Sequence, residues 1–203
     1  MDSNIIFIAL TIIPILIIGA FLGIVFDRRQ RTKKLQQRFG PEYENALQEM
    51  GSKQQAEQEL NARIDHVKAL DIRPLSPEET KVFISKWQAT QAEFVDEPLS
   101  AVQNADQLLS DVMTTKGYPV KDFEQQAADI SVDYPDLVTD YRGLHQIAIM
   151  DHDETVTTEE MRQAMIHGRS LFEKLMNQGD YYERMDERDE HTEDAEEEME
   201  KSR

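Results

Sequence analysis

The stretch SPEETKVFISKWQATQAEFVDEP, residues 76–98, sets the fold class. Ser76 stands where a helix cap belongs, Pro77 suits the first helical position, and Glu79 completes a capping box. Phe83, Trp87, Thr90 and Phe94 then recur at three- and four-residue steps, which places them on one face of a helix. Asp96-Glu97-Pro98 ends that helix and starts another. A single Trp on such a stripe is expected in a core; a groove for a partner, lined by Trp87, Gln91, Phe94 and Tyr118, is the competing reading.

The same grammar continues downstream. Leu99, Val102, Ala105, Leu109 and Val112 form a second stripe, closed by Lys116-Gly117-Tyr118-Pro119, where Gly117 occupies a left-handed C-cap position. Asp122-Phe123-Glu124-Gln125 opens a short helix to about Asp129. Asp133 is read as the cap of the next, which turns Leu137, Tyr141, Leu144 and Ala148 inward. A Thr157-to-Glu160 box opens the last helix, with Met161, Met165, Gly168, Phe172 and Leu175 on its stripe and Gly179 at its end. No segment alternates with the period of two that a strand requires. The expected architecture is therefore all-α: a bundle of five to six helices over 71–179.

Upstream, Gly40-Pro41 marks a break. Tyr43, Leu47, Met50, Leu60, Ile64 and Val67 predict one long helix, or two in line, over 41–70. It reads either as a short coiled-coil stalk or as a helix lying on the bundle. Residues 5–26, IIFIALTIIPILIIGAFLGIVF, carry no charge over 22 positions. As a helix they span roughly 33 Å, the thickness of a bilayer core. A cleaved signal peptide would want a basic start and a small-residue cleavage site, and neither is present. The basic residues Arg28, Arg29, Arg31, Lys33, Lys34 and Arg38 follow in the juxtamembrane segment 27–40, with none before the span. Such clusters stay in the cytoplasm and attract anionic head groups. The expected topology is a single-pass signal-anchor, with residues 1–4 outside and the bundle inside. Gly19 and Gly23 stand four apart within the span. They are read either as a face for a homodimer or as ordinary glycine use in a membrane helix.

Composition limits function. With no cysteine, the chain has no disulfide, thiolate metal site or lipid-bearing cysteine. A net charge of −18 repels phosphate backbones, so nucleic acid is not an expected partner. Residues 180–203 hold twelve acids against four bases, and are read as a solvated helix extension or a disordered tail. No phosphate-binding loop, dinucleotide fingerprint or nucleophile elbow is present. Asp151-x-Asp153-x-Thr155 lacks the Gly and Glu of a calcium loop, with Val156 and Arg162 in their places. His145 and His167 sit on the last two long helices near Arg142 and Arg169. That set is the candidate polar site, for a metal or for acid–base work, against the plainer reading of surface hydrogen bonds. Tyr141, Arg142 and Asp133 are a candidate buried network.

Taken together, Arg38-Phe39-Gly40-Pro41-Glu42-Tyr43, Asp71-Ile72-Arg73-Pro74-Leu75, Gln91-Ala92-Glu93-Phe94-Val95-Asp96, Lys116-Gly117-Tyr118-Pro119, Asp122-Phe123-Glu124-Gln125 and Gln163-Ala164-Met165 carry a likeness. Over about 38–175 the chain resembles a family of uncharacterised bacterial single-pass membrane-anchored proteins. The resemblance implies a bacterial source, hence an inner (cytoplasmic) membrane, and the layout above, and no activity, cofactor or metal. Gly168 departs from it, standing where an aromatic is expected after the His. Two functions follow as expectations. One is a membrane-tethered scaffold that docks an unknown protein partner; the other is an enzyme or ligand sensor around His145 and His167.

Overall fold

The computed structural model describes residues 26, 29–119, 122–150 and 156–176. The candidate span, with Gly19 and Gly23, as well as Arg28, the Asp151–Thr155 loop and the acidic tail lie outside the described residues. Among those described, every regular element is a helix, and no helix is long and apolar enough to cross a membrane. The described residues divide into two compact units, parted between Ala62 and Arg63.

The first unit contains α1 (29–39), α2 (Pro41–Met50) and the first part of α3 (Lys53–Lys68). The helical path over 41–70 is neither continuous nor in line. Gly51 takes φ +66° and its N–H bonds the Leu47 carbonyl, ending α2. Ser52 then receives the Gln55 N–H at 3.3 Å and starts α3. In a straight helix, Tyr43 and Glu57 would lie about 21 Å apart along the axis. Here the Tyr43 hydroxyl donates to Glu57 Oε1 at 3.1 Å, and Thr32 Oγ1 donates to the same oxygen at 2.7 Å. The chain therefore folds back at Gly51, and the stalk reading is corrected to a small three-helix unit. Leu35, Phe39, Tyr43, Ala46, Ala56 and Leu60 are its buried apolar residues.

The second unit holds the last turns of α3, then α4 (Pro77–Glu93), α5 (Pro98–Lys116), α6 (Phe123–Asp133), α7 (Val138–Ala148) and α8 (Thr158–Met176). Helix α5 packs on α4, α7 and α8; α7 also packs on α8 and α6. That central position explains why α5 buries Ala101, Val102, Ala105, Leu108, Leu109, Val112 and Met113. The capping box before α4 forms as expected, with Ser76 Oγ on the Glu79 N–H at 3.2 Å and Glu79 Oε2 on the Ser76 N–H at 2.8 Å. Asp122 caps α6 through the Gln125 N–H at 2.8 Å. Asp133 does not cap α7; it is the last residue of α6, which runs a turn beyond Asp129, and α7 starts at Val138 without a side-chain cap.

Trp87 is core. It is buried and stacks on Phe172 with ring centroids 4.8 Å apart. Gly168 lies beneath this pair: a Cβ there would stand 3.1 Å from Leu144 Cδ2 and 3.5 Å from the Trp87 ring. An aromatic at 168 has no room in this packing, which accounts for the glycine.

Candidate functional site

Helix α1 displays the basic segment. Thr32, Leu35 and Phe39 are buried at three- and four-residue spacing, whereas Arg29, Arg31, Lys33 and Lys34 are exposed and Arg38 is partly so. On a helix of 3.6 residues per turn these cations occupy the half of the cylinder opposite the buried stripe. A basic run that sequence shows only as composition is thus ordered into a cationic face.

The histidines are placed apart. His145 Nδ1 lies 2.9 Å from Asp106 Oδ2 on α5, with Phe123 stacked on the imidazole at 3.6 Å between centroids. His167 Nδ1 lies 3.0 Å from Asp140 Oδ1 on α7. Asp140 and His145 are five residues apart on α7, about 140° around its axis, so the two pairs use different faces of that helix. Burial pushes the Asp106 carboxyl upward and the nearby imidazole partly offsets this. Arg169 pairs with Glu173 at 3.3 Å on its own helix. No group of three or more His, Asp or Glu side chains suited to a metal occurs among the described residues. What the arrangement offers chemically is two separate imidazole–carboxylate pairs, each joining two helices.

Of the candidate buried network, Tyr141 and Asp133 each engage further partners. Tyr141 donates to Gln126 Oε1 at 3.2 Å, and Gln126 Nε2 donates to Ser110 at 2.9 Å. Asp133 receives the Tyr118 hydroxyl at 2.6 Å. Lys116, which the sequence reading passed over, is fully buried; its Nζ donates to the Leu175 carbonyl at the end of α8, 3.2 Å away. Burial first, and then the Arg73 guanidinium, lower its pKa to about 8, against the opposing pull of Asp133. A second omission is the junction of α3 with α6. There Arg63 Nη1 donates to Ser131 at 3.3 Å, and His66 Nε2 stands 3.6 Å from the fully buried Asp129.

The connector 71–75 docks on the end of α5. The Arg73 N–H bonds the Lys116 carbonyl at 2.8 Å, and Gly117 at φ +106° lets the Asp71 carbonyl approach so closely that any Cβ would collide with it. The segments Asp71–Leu75 and Lys116–Pro119 are thus physical partners.

On the outside of α4 and α8, Gln91, Phe94, Arg162, Met165, Ile166 and Arg169 line a shallow surface cleft of about 150 Å³. Val95 beside Phe94 is 83 % exposed, and Ile84 and Ile166 are also exposed. Of the proposed groove residues, Gln91 and Phe94 therefore do line a cleft, while Trp87 and Tyr118 are buried. Comparison of the chain with family models, with curated proteins and with solved structures finds no match.

Proposed function

We propose that this chain is a membrane-tethered helical module that docks another protein at the inner face of a bacterial cytoplasmic membrane. Residues 5–26 would span the bilayer, with the N-terminal flank outside and both helical units in the cytoplasm. The observation that carries the reading is the cationic half of α1, immediately after that uncharged run. Arginines and lysines on an exposed helical face resist translocation and sit favourably against anionic head groups, at roughly 1 kcal/mol each. The exposed Val95 and Ile166 around the α4–α8 cleft support docking, since a cleft lined half by Phe94, Met165 and Ile166 and half by Gln91, Arg162 and Arg169 suits an amphipathic partner helix. The likeness to bacterial membrane-anchored proteins supports the same placement.

Crosslinking of the full chain in its native membrane, followed by capture, tests the proposal. A partner should be enriched over a control carrying residues 1–40 alone, and a Val95→Asp, Ile166→Asp double variant should lose it. Equal recovery in the anchor-only control would end the docking reading. The alternative, an imidazole-centred enzyme or sensor, has no shared site to work from, because His145 and His167 engage different carboxylates on different faces of α7.

A further inference from the structure

Asp129 is the least compensated carboxylate of the described bundle. Its side chain is fully buried on α6. Oδ1 accepts one hydrogen bond, from Gln125 Nε2 at 2.8 Å, while no protein group donates to Oδ2. A buried carboxylate in that condition costs several kcal/mol unless a cation or a proton reaches it. The groups that face it are few. From α3 come Arg63, whose Nη1 is engaged with Ser131, and His66; from α6 itself comes Asp133, which raises the cost of a second negative charge. Behind Asp133 stand Tyr118, bonded to it, and Lys116, coupled to it electrostatically. Burial holds the Asp129 carboxyl above its ordinary range.

His66 meets this carboxylate with its own buried nitrogen. Nε2 has no hydrogen-bond partner and lies 3.6 Å from Asp129 Oδ1, just beyond hydrogen-bond reach. The rest of the ring is over a third exposed, so a proton can enter from solvent. Nε2 stands less than 1 Å too far from the oxygen that Gln125 already serves, while the second oxygen of the carboxylate has no donor; two facing acceptors held apart in this way fit a neutral imidazole whose Nε2 bears no proton. A proton on Nε2 supplies the missing donor, and the resulting charge-assisted bond would shorten the contact to about 2.8 Å.

We propose that His66 and Asp129 form a proton-operated clamp between α3 and α6, open with a neutral imidazole and closed when Nε2 takes up a proton. The clamp goes beyond the docking reading and does not depend on it. Its consequence is local: the last turn of α3, through which the chain enters the bundle, is held more firmly as pH falls through the imidazole range.

Deuterium exchange of the full-length chain, read by mass spectrometry at several pH values, tests this. Slow exchange at the imidazole carbon between the two ring nitrogens reports each histidine's titration, with His145 and His167 as internal references. Asp129→Asn is expected to lower the His66 midpoint relative to wild type, because the charged partner of the imidazolium is gone. Amides of residues 64–69 should gain protection from about pH 8 to about pH 5.5, after correction for intrinsic rates, and His66→Gln should abolish that gain. An unchanged His66 midpoint in Asp129→Asn overturns the proposal. If that variant fails to fold, an identical pH response in wild type and His66→Gln overturns it equally.

Discussion

At the scale of single residues, the bundle places charge where only geometry makes it tolerable. Lys116 is the clearest case. Its ammonium is fully buried and answers the last carbonyls of α8, where a helix end favours a cation. Yet burial lowers its pKa to about 8, against an ordinary 10.5. The folded chain therefore holds this proton more weakly than the unfolded chain, so the unfolded state binds more protons between those values. Stability must then rise with pH across that window. Lys116→Met is expected to remove this rise. Denaturant midpoints of wild type and variant, compared at about pH 8 and about pH 10, should diverge by up to about 3 kcal/mol. Parallel curves would mean that the amine is solvated. Trp87 makes a complementary case without charge. Buried and stacked on Phe172, it should cost about 3–5 kcal/mol when replaced by Ala, read as a loss in calorimetric stability.

At the scale of elements, the helix boundaries obey local chemistry, and that is why most of them could be read in advance. Ser76 to Glu79, Asp122 to Gln125 and Thr157 to Glu160 each place an acceptor and a backbone donor three residues apart, and each forms. Ser76→Ala should cost about 1 kcal/mol in thermal unfolding, because Glu79 also holds Arg73 through a two-point contact at 2.9 and 2.7 Å and the connector loosens with the cap. The break at Gly51-Ser52 obeys the same rule, but the sequence leaves one helix and two in line equally open there. Its signal, a glycine followed by Ser52 and Gln55, lay within a run of residues with good helix propensity, and apolar spacing on both sides suggested continuity. Asp133 failed in the opposite direction: it looks like a cap, but the Tyr118 hydroxyl claims it. Periodicity reports which face of a helix is buried and is silent about which helix lies opposite. The pairing of His145 with Asp106 and of His66 with Asp129 was therefore beyond sequence reasoning, since each joins residues at least 39 positions apart.

At the scale of the whole molecule, charge is segregated along a chain whose net value is −18. The described bundle ends short of an acidic stretch, and the first described helix gathers cations on one half of its surface. That segregation is what the proposed orientation depends on, and it can be reversed without touching a core. Arg29, Lys33 and Lys34 are exposed on α1, opposite Thr32, Leu35 and Phe39, so replacing them by Gln should change folding stability by no more than about 0.5 kcal/mol. Removing these cations together with Arg28, Arg31 and Arg38, while placing Lys at positions 2 and 3, moves the positive flank to the other side of residues 5–26. Orientation follows the side rich in Lys and Arg, so the variant is expected to insert inverted. A membrane-impermeant reagent applied to intact cells should then label its C-terminus and leave wild type unlabelled. Because the substitutions spare the buried face of α1, an inverted chain that keeps its helical melting would trace the orientation to charge alone. Wild-type labelling from outside would instead place the bundle, and any partner it docks, on the opposite face of the membrane.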